Sequence, residues 1–234
     1  MTPLAACVAF AMLFVFSAPP MGSSQTPGAA VTGPVGTYKI RIDGKNAGWE
    51  RFEISKQQDV YHGTSTSQLT AQGVVQTIST TAEVRDGKPE HYSIDLKSGG
   101  GDRKYSIDFA SGQANATIEY GGKLARRTVS VSDGAVLLDR NVWYQYMFLL
   151  SKYDMAAKGV QSFKVFMAHP TLREYTALVE FQETKTVKRN GQKVLANRFG
   201  VELGGGFQLL ATAGEDGLPL EIEIPAEDET IHLE

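Results

Sequence analysis

Histidine is the side chain most often recruited for metal binding and proton transfer, and this chain has four, His62, His91, His169 and His232. No two stand at the short spacings that place ligands on one turn or hairpin, so the sequence predicts neither a metal site nor a cofactor. Nucleophile chemistry is equally quiet. There is no Gly-x-Ser-x-Gly elbow, no P-loop and no Gly-x-Gly-x-x-Gly. Gly99-Gly100-Gly101 and Gly204-Gly205-Gly206 are not followed by the helical pattern that a phosphate cradle needs. The first reads as a loop, the second as a strand kink beside Phe207. Catalytic carboxylates would have to converge from Glu50, Glu53, Asp95, Asp108 and Glu119, all of which are read onto a water-facing side of strands. Trp49 beside Gly48 reads as a core or rim tryptophan, with a sugar platform as the alternative. The expectation is a protein that is not an enzyme; a hydrolase of envelope polymers is the minor alternative.

Apolar binding has a better candidate. From Leu138 to Gly159 the apolar residues recur with the helical period, which predicts one helix near residues 140–158, ~28 Å long. Asp139 is placed to cap it, with Leu138 and Trp143 at staple positions and Gly159 as the left-handed stop. A broad face carries Val142, Trp143, Tyr146, Met147, Leu149, Leu150, Tyr153, Ala156 and Ala157; a narrower stripe carries Tyr144, Phe148 and Met155. Either sheet and loop cover both sides, or the narrow stripe lines a groove for an apolar ligand or partner. The candidate ligand-binding residues are therefore Tyr144, Phe148 and Met155, with Trp143 at the helix entry. Gln145, Lys152 and Asp154 interrupt the run too early for a membrane span.

What positions this helix is a series of strands. Tyr38, Ile40 and Ile42, then Tyr92, Ile94 and Leu96, then Tyr105, Ile107 and Phe109, then Ala114, Ala116 and Ile118, and finally Leu220, Ile222 and Ile224 alternate with polar residues. Turn dipeptides separate such runs: Asp43-Gly44, Asp86-Gly87, Ser111-Gly112, Gly121-Gly122, Asp133-Gly134, Asn190-Gly191 and Asp216-Gly217. The pattern predicts a mostly β protein, a curved antiparallel meander of about ten strands forming an open or half barrel packed on one amphipathic helix. A two-sheet sandwich with the helix at one end is the alternative.

Length and charge set the remaining bounds. With 234 residues and a net charge of −3, the chain fits one β-rich domain over residues 36–234 and lacks the concentrated basic face of a nucleic-acid binder. Lys185, Lys188, Arg189, Lys193 and Arg198 flank a turn, where they guard a hairpin against edge pairing. Leu4 to Phe16 is an apolar run followed by small residues, which predicts a signal peptide over residues 1–24 and an exported, periplasmic or secreted protein. The single cysteine, Cys7, lies inside that run; Leu4-Ala5-Ala6-Cys7 has lipobox order, but the apolar run follows the cysteine instead of preceding it. Residues 25–35 read as a Pro/Gly-containing tether.

Several segments resemble a family of exported bacterial proteins of unknown function. They are Gly36-x-Tyr38-x-Ile40 with Gly48-x-Glu50-x-Phe52, Asp86-Gly87-Lys88-Pro89-x-x-Tyr92, Leu138-Asp139-x-Asn141-Val142-Trp143-Tyr144-Gln145-Tyr146 and Gly159-Val160-Gln161-Ser162-Phe163. The resemblance implies a cell-envelope location and a β-rich curved sheet, and it implies no catalytic residue. At fold level the arrangement is similar to periplasmic lipoprotein carriers, which hold acyl chains between sheet and helix. The functional expectation is an envelope protein binding a lipid or other apolar ligand between sheet and helix. A structural or assembly module is the alternative, meeting another envelope protein through an exposed edge or the acidic tail Glu227, Asp228 and Glu229.

Overall fold

The computed structural model describes residues 31–71, 73–189 and 191–234; the expected signal peptide lies outside the described residues. Strand β1 (Val31–Ile42) starts inside the span read as tether. It is followed by β2 (Lys45–Gln57), β3 (Val60–Ala71), β4 (Val74–Arg85), β5 (Lys88–Ser98), β6 (Arg103–Ala110), β7 (Gln113–Tyr120) and β8 (Lys123–Ser130). A short β9 (Val136–Leu138) precedes a 3-10 turn, Trp143–Gln145, and one short helix, α1 (Tyr146–Leu150). The second half comprises β10 (Val160–Met167), β11 (Arg173–Arg189), β12 (Gln192–Leu203), β13 (Phe207–Ala213), β14 (Pro219–Ile224) and β15 (Glu229–Leu233).

All 15 strands form one sheet in the order β8-β7-β6-β5-β4-β3-β2-β1-β15-β14-β13-β12-β11-β10-β9. Neighbours are antiparallel except β9, which runs parallel to β10. The glycine turns place the reversals where the dipeptides predict them: Asp43-Gly44, Asp86-Gly87, Ser111-Gly112 and Gly121-Gly122 all have both residues at positive φ. The sheet thus exceeds the expected count of about ten strands. β3 is hidden because Ser65 and Ser67 fill inward positions, and in β4 Thr80 interrupts the inward series Ile78, Ala82 and Val84.

A sheet this wide must curl as twist accumulates. It curls until the β9–β10 end lies over the concave side of β4–β6. Leu137, Phe166, Ala168 and Leu172 pack there against Ile78, Tyr92, Ile94 and Ile107, and Phe166 meets Phe109 edge-on at 5.3 Å. The larger core gathers Tyr38, Phe52, Ile54, Val179, Phe199, Val201, Ile222 and Ile231 around the 3-10 turn and α1. Burying each large apolar side chain stabilises the fold by roughly 1.5–3 kcal/mol, which is what holds the curl closed.

The expected helix over residues 140–158 is corrected to five residues. Beyond Leu150 local hydrogen bonds replace the helical ladder. The Ala156 N–H donates to Asp154 Oδ1 at 2.8 Å, and Gln161 accepts the Asp154 N–H at 2.9 Å while donating to the Asp154 carbonyl at 2.7 Å. Asx-type bonds of this kind compete directly with helix propagation. Lys158 and Gly159 then sit in the left-handed region and turn the chain into β10.

Candidate functional site

Every residue from Val142 to Leu150 is buried, Gln145 included, which explains why the rest of this segment is apolar on every side: it is a plug inside the curled sheet. Its entry is not capped by Asp139. Instead the carboxylate of Glu50, from β2, accepts the Trp143 N–H at 2.8 Å from across the core. Asp139 accepts the Tyr92 hydroxyl at 3.1 Å and the Asn141 N–H at 3.4 Å. Burial drives the Glu50 carboxyl up to about 8, against the opposing pull of the Trp143 N–H. Burial also raises Asp139 to about 7, with the Tyr92 hydrogen bond pulling the other way. Both acids are therefore poised to hold a proton near neutrality. The reading of Glu50 as water-facing is corrected: it shares the inward face with Phe52 and Ile54 and has no exposed surface. Its parity with those two residues is the signal that could have placed it.

The four residues read as ligand-binding divide. Tyr144 stacks on Phe52 at 5.8 Å, Phe52 on Tyr38 at 5.1 Å, and Phe148 meets Tyr144 and Tyr61 edge-on. Trp143 stacks near Tyr146 at 6.1 Å. These contacts make Trp143, Tyr144 and Phe148 core residues. Met155 lies on the coil after α1, 42% exposed and apart from the other three. Gly63 allows the closeness of Tyr144: a Cβ there would come within 2.6 Å of the Tyr144 hydroxyl oxygen.

An opening does exist where the plug meets the sheet, on another side. A cleft of about 340 Å³ is lined by Tyr146 from α1, Met167 from β10, Tyr175 from β11, Leu203 from β12 and Phe207 from β13, with Arg140 beside it. Its volume lies in the range of small-molecule sites. Gly204 forms part of the wall with φ +61°, and a Cβ there would lie 2.7 Å from the Tyr175 ring. The run of glycines is thus the β12–β13 turn, and it leaves room for Tyr175. Arg140 is ion-paired with Glu227, and the Arg173 guanidinium lies 5.6 Å from the centre of the Tyr175 ring. No local pattern marks this cleft apart from the Gly204–Gly206 run, because its members come from five separate elements.

Other candidates stay apart. Each histidine sits near its own carboxylate: His62 by Glu83, His91 by Asp108, His169 by Asp139 and His232 by Glu221. Among the described residues no three metal-ligating side chains cluster, and no helix is long and apolar enough to cross a membrane. The acidic tail is corrected as well: Glu229 is buried at the start of β15, and Glu227 is held by Arg140.

A single antiparallel sheet curled around a short apolar plug defines a β-barrel-like protein. Residues 37–208 match the model of the family described as "Protein of unknown function (DUF3108)", and the chain belongs to that family. No curated protein matches it. Among solved structures it is similar to a "Beta-barrel-like Protein of Domain of Unknown Function DUF1849" from Brucella abortus. That match has a TM-score of 0.59 at 10% identity, covering 86% of this chain and 94% of the other. A duf1089 family protein from Pseudomonas aeruginosa aligns at 13% identity and a TM-score of 0.49, covering 76% and 90%. At these identities the first likeness speaks to fold alone, and it agrees with the β-rich curved sheet expected from the sequence.

Proposed function

We propose that this protein is an exported envelope protein that holds the hydrocarbon part of an anionic amphiphile in the cleft between α1 and the sheet rim. The observation that carries the reading is the cleft itself: Tyr146, Met167, Tyr175, Leu203 and Phe207 offer an apolar wall, with Arg140 at its side. An apolar cleft with few convergent polar groups is the usual form of a small-ligand site. Arg140, which lines the cleft, has guanidinium donors beyond the one engaged by Glu227, which suits a carboxylate, sulfate or phosphate head. The apolar run Leu4–Phe16 with the small residues after it supports export.

The test uses 8-anilinonaphthalene-1-sulfonate, a probe with an aromatic body and an anionic group. One probe per chain is expected to bind, to be displaced by oleate, and to bind roughly tenfold more weakly to Phe207→Ser and to Arg140→Gln. Probe binding that is absent, or indifferent to both substitutions in variants with native circular dichroism, overturns the assignment. Export is checked separately by N-terminal sequencing of the chain released from the periplasm; recovery of an uncleaved cytoplasmic chain overturns it.

A further inference from the structure

The two ends of the sheet are unlike. β9 has three residues, all buried, whereas β8 has eight and is exposed along nearly its whole length, with Leu124 at 70%. Among the described residues β8 pairs with β7 alone. The hairpin closes through Gly121-Gly122, at φ +56° and +73°, with Tyr120 opposite Lys123. In a two-residue hairpin that closing pair is hydrogen-bonded, and narrow and wide pairs then alternate along the ladder. Ala125, Arg127 and Val129 therefore bond to β7. The N–H and C=O groups of Leu124, Arg126 and Thr128 point away from the sheet, as a row of donors and acceptors that no backbone strand among the described residues takes up.

The side chains on this edge are of one sign. Lys123, Arg126 and Arg127 are its charged residues, β8 contains no acid, and among the described residues none of the three has an ion-pair partner. We propose that β8 is a strand-addition edge that takes an extended, acidic segment of a partner protein. Main-chain bonds to Leu124, Arg126 and Thr128 supply the pairing, and the three cations select the sequence. A second copy of this chain is the poorer occupant, because two β8 strands side by side would set like charges against each other. Basic residues on a free edge also discourage self-association, and the same positive charge attracts an acidic strand.

The probe is a fluorescein-labelled nine-residue peptide alternating Glu and Thr, compared with its Lys-for-Glu counterpart. On addition of the acidic peptide, amide exchange at Leu124, Arg126 and Thr128 is expected to slow about tenfold or more, while Ala125, Arg127 and Val129, already paired, hardly change. Thr128→Pro removes an outward N–H and the exposed Thr128 hydroxyl bond to Asn115 Oδ1 at 3.0 Å, and none of the charge; it is expected to weaken binding about tenfold with only a small fall in the thermal midpoint. The double charge reversal Arg126→Glu/Arg127→Glu is expected to invert the preference between the two peptides. The exchange experiment on the unmodified chain stands even if a variant fails to fold. Unchanged exchange at the three outward amides, or a Thr128→Pro chain that binds as tightly as the original, overturns strand addition. A dimer in sedimentation that Thr128→Pro abolishes overturns the acidic partner in favour of a second copy.

Discussion

Glu50 and Trp143 are 93 positions apart in the chain, yet the Glu50 carboxylate accepts the Trp143 backbone N–H at 2.8 Å in the middle of the core. A strand from the first quarter of the protein thereby caps the plug that fills the concave side. The first N–H groups of a helical turn have no partner within it, and a buried orphan would cost about 1–3 kcal/mol. Glu50 fills that need, but its other oxygen, Oε1, has no hydrogen-bond partner among the described residues. Burial, with no cation beside it among the described residues, favours the neutral acid there.

The pH dependence follows from the direction of that shift. Glu50 is raised from 4.5 to about 8 and Asp139 from 3.8 to about 7, so the folded state holds protons that the unfolded chain releases. Their contribution is fully present below about pH 4 and is lost as the pH rises through about 7 to 8. Glu229, raised to about 7 by burial and by Glu227, acts in the same sense. Thermal midpoints are expected to fall from pH 5 to pH 8.5. Glu50→Gln, which keeps the shape and cannot ionise, is expected to flatten that fall and to remove on the order of a few kcal/mol of the pH-dependent loss in unfolding free energy. A midpoint that rises over this interval in the unmodified chain refutes the assignment.

Truncation separates the aromatic residues of the plug from Met155. Tyr144→Ala and Phe148→Ala remove members of the stack running through Phe52 and Tyr61, and each is expected to cost about 3–5 kcal/mol in urea unfolding. Met155→Ala, at an exposed position, is expected to stay within about 0.5 kcal/mol. Comparable losses at all three sites would place Met155 in the core.

Tyr144→Phe behaves differently. The Tyr144 hydroxyl is buried without a hydrogen-bond partner among the described residues, so deleting it removes a polar atom that gains little from the fold. Unfolding free energy is expected to stay equal or to rise by about 1 kcal/mol. A loss above 2 kcal/mol, by the same urea assay and on the same order as a broken buried hydrogen bond, would show that the hydroxyl is engaged.

Gly204 links stability to the cleft. At φ +61°, with a Cβ 2.7 Å from the Tyr175 ring, Gly204→Ala must strain the turn and push Tyr175 into the cleft. A destabilisation of about 1–2 kcal/mol together with weaker probe binding is expected. Gly205→Ala, where φ is also positive but no atom lies within 4 Å of the added Cβ, is expected to strain the turn without altering the probe. Equal probe binding by both variants would detach Gly204 from the cleft.

Much of the fold is legible in the residues. Tyr38-x-Ile40-x-Ile42 and Tyr92-x-Ile94-x-Leu96 carry the period of a half-buried strand, and Asp43-Gly44 and Asp86-Gly87 carry the positive φ of a tight reversal. β3 is not legible as an apolar strand because its inward positions include Ser65 and Ser67, and Thr80 interrupts the inward series of β4; Ser65 and Thr80 are buried by bonding to each other across the sheet. The expected helix is longer than the real one because Tyr153, Ala156 and Ala157 keep the helical period, while side-chain bonds from Asp154 and Gln161 redirect the backbone there.

By itself, then, the sequence determined the alternation, the turn chemistry and the presence of one thoroughly apolar segment near Trp143, because each depends on neighbours a few residues away. Which of those apolar residues would be core and which would border an opening depended on contacts between distant strands. Only the curl of the full sheet buried Tyr144 and Phe148, turned Glu50 inward onto Trp143, and set Tyr146 beside Tyr175 and Phe207. Long-range packing chooses among surfaces that local pattern leaves equivalent, and a helical stripe looks the same whether a wall or a cleft lies in front of it.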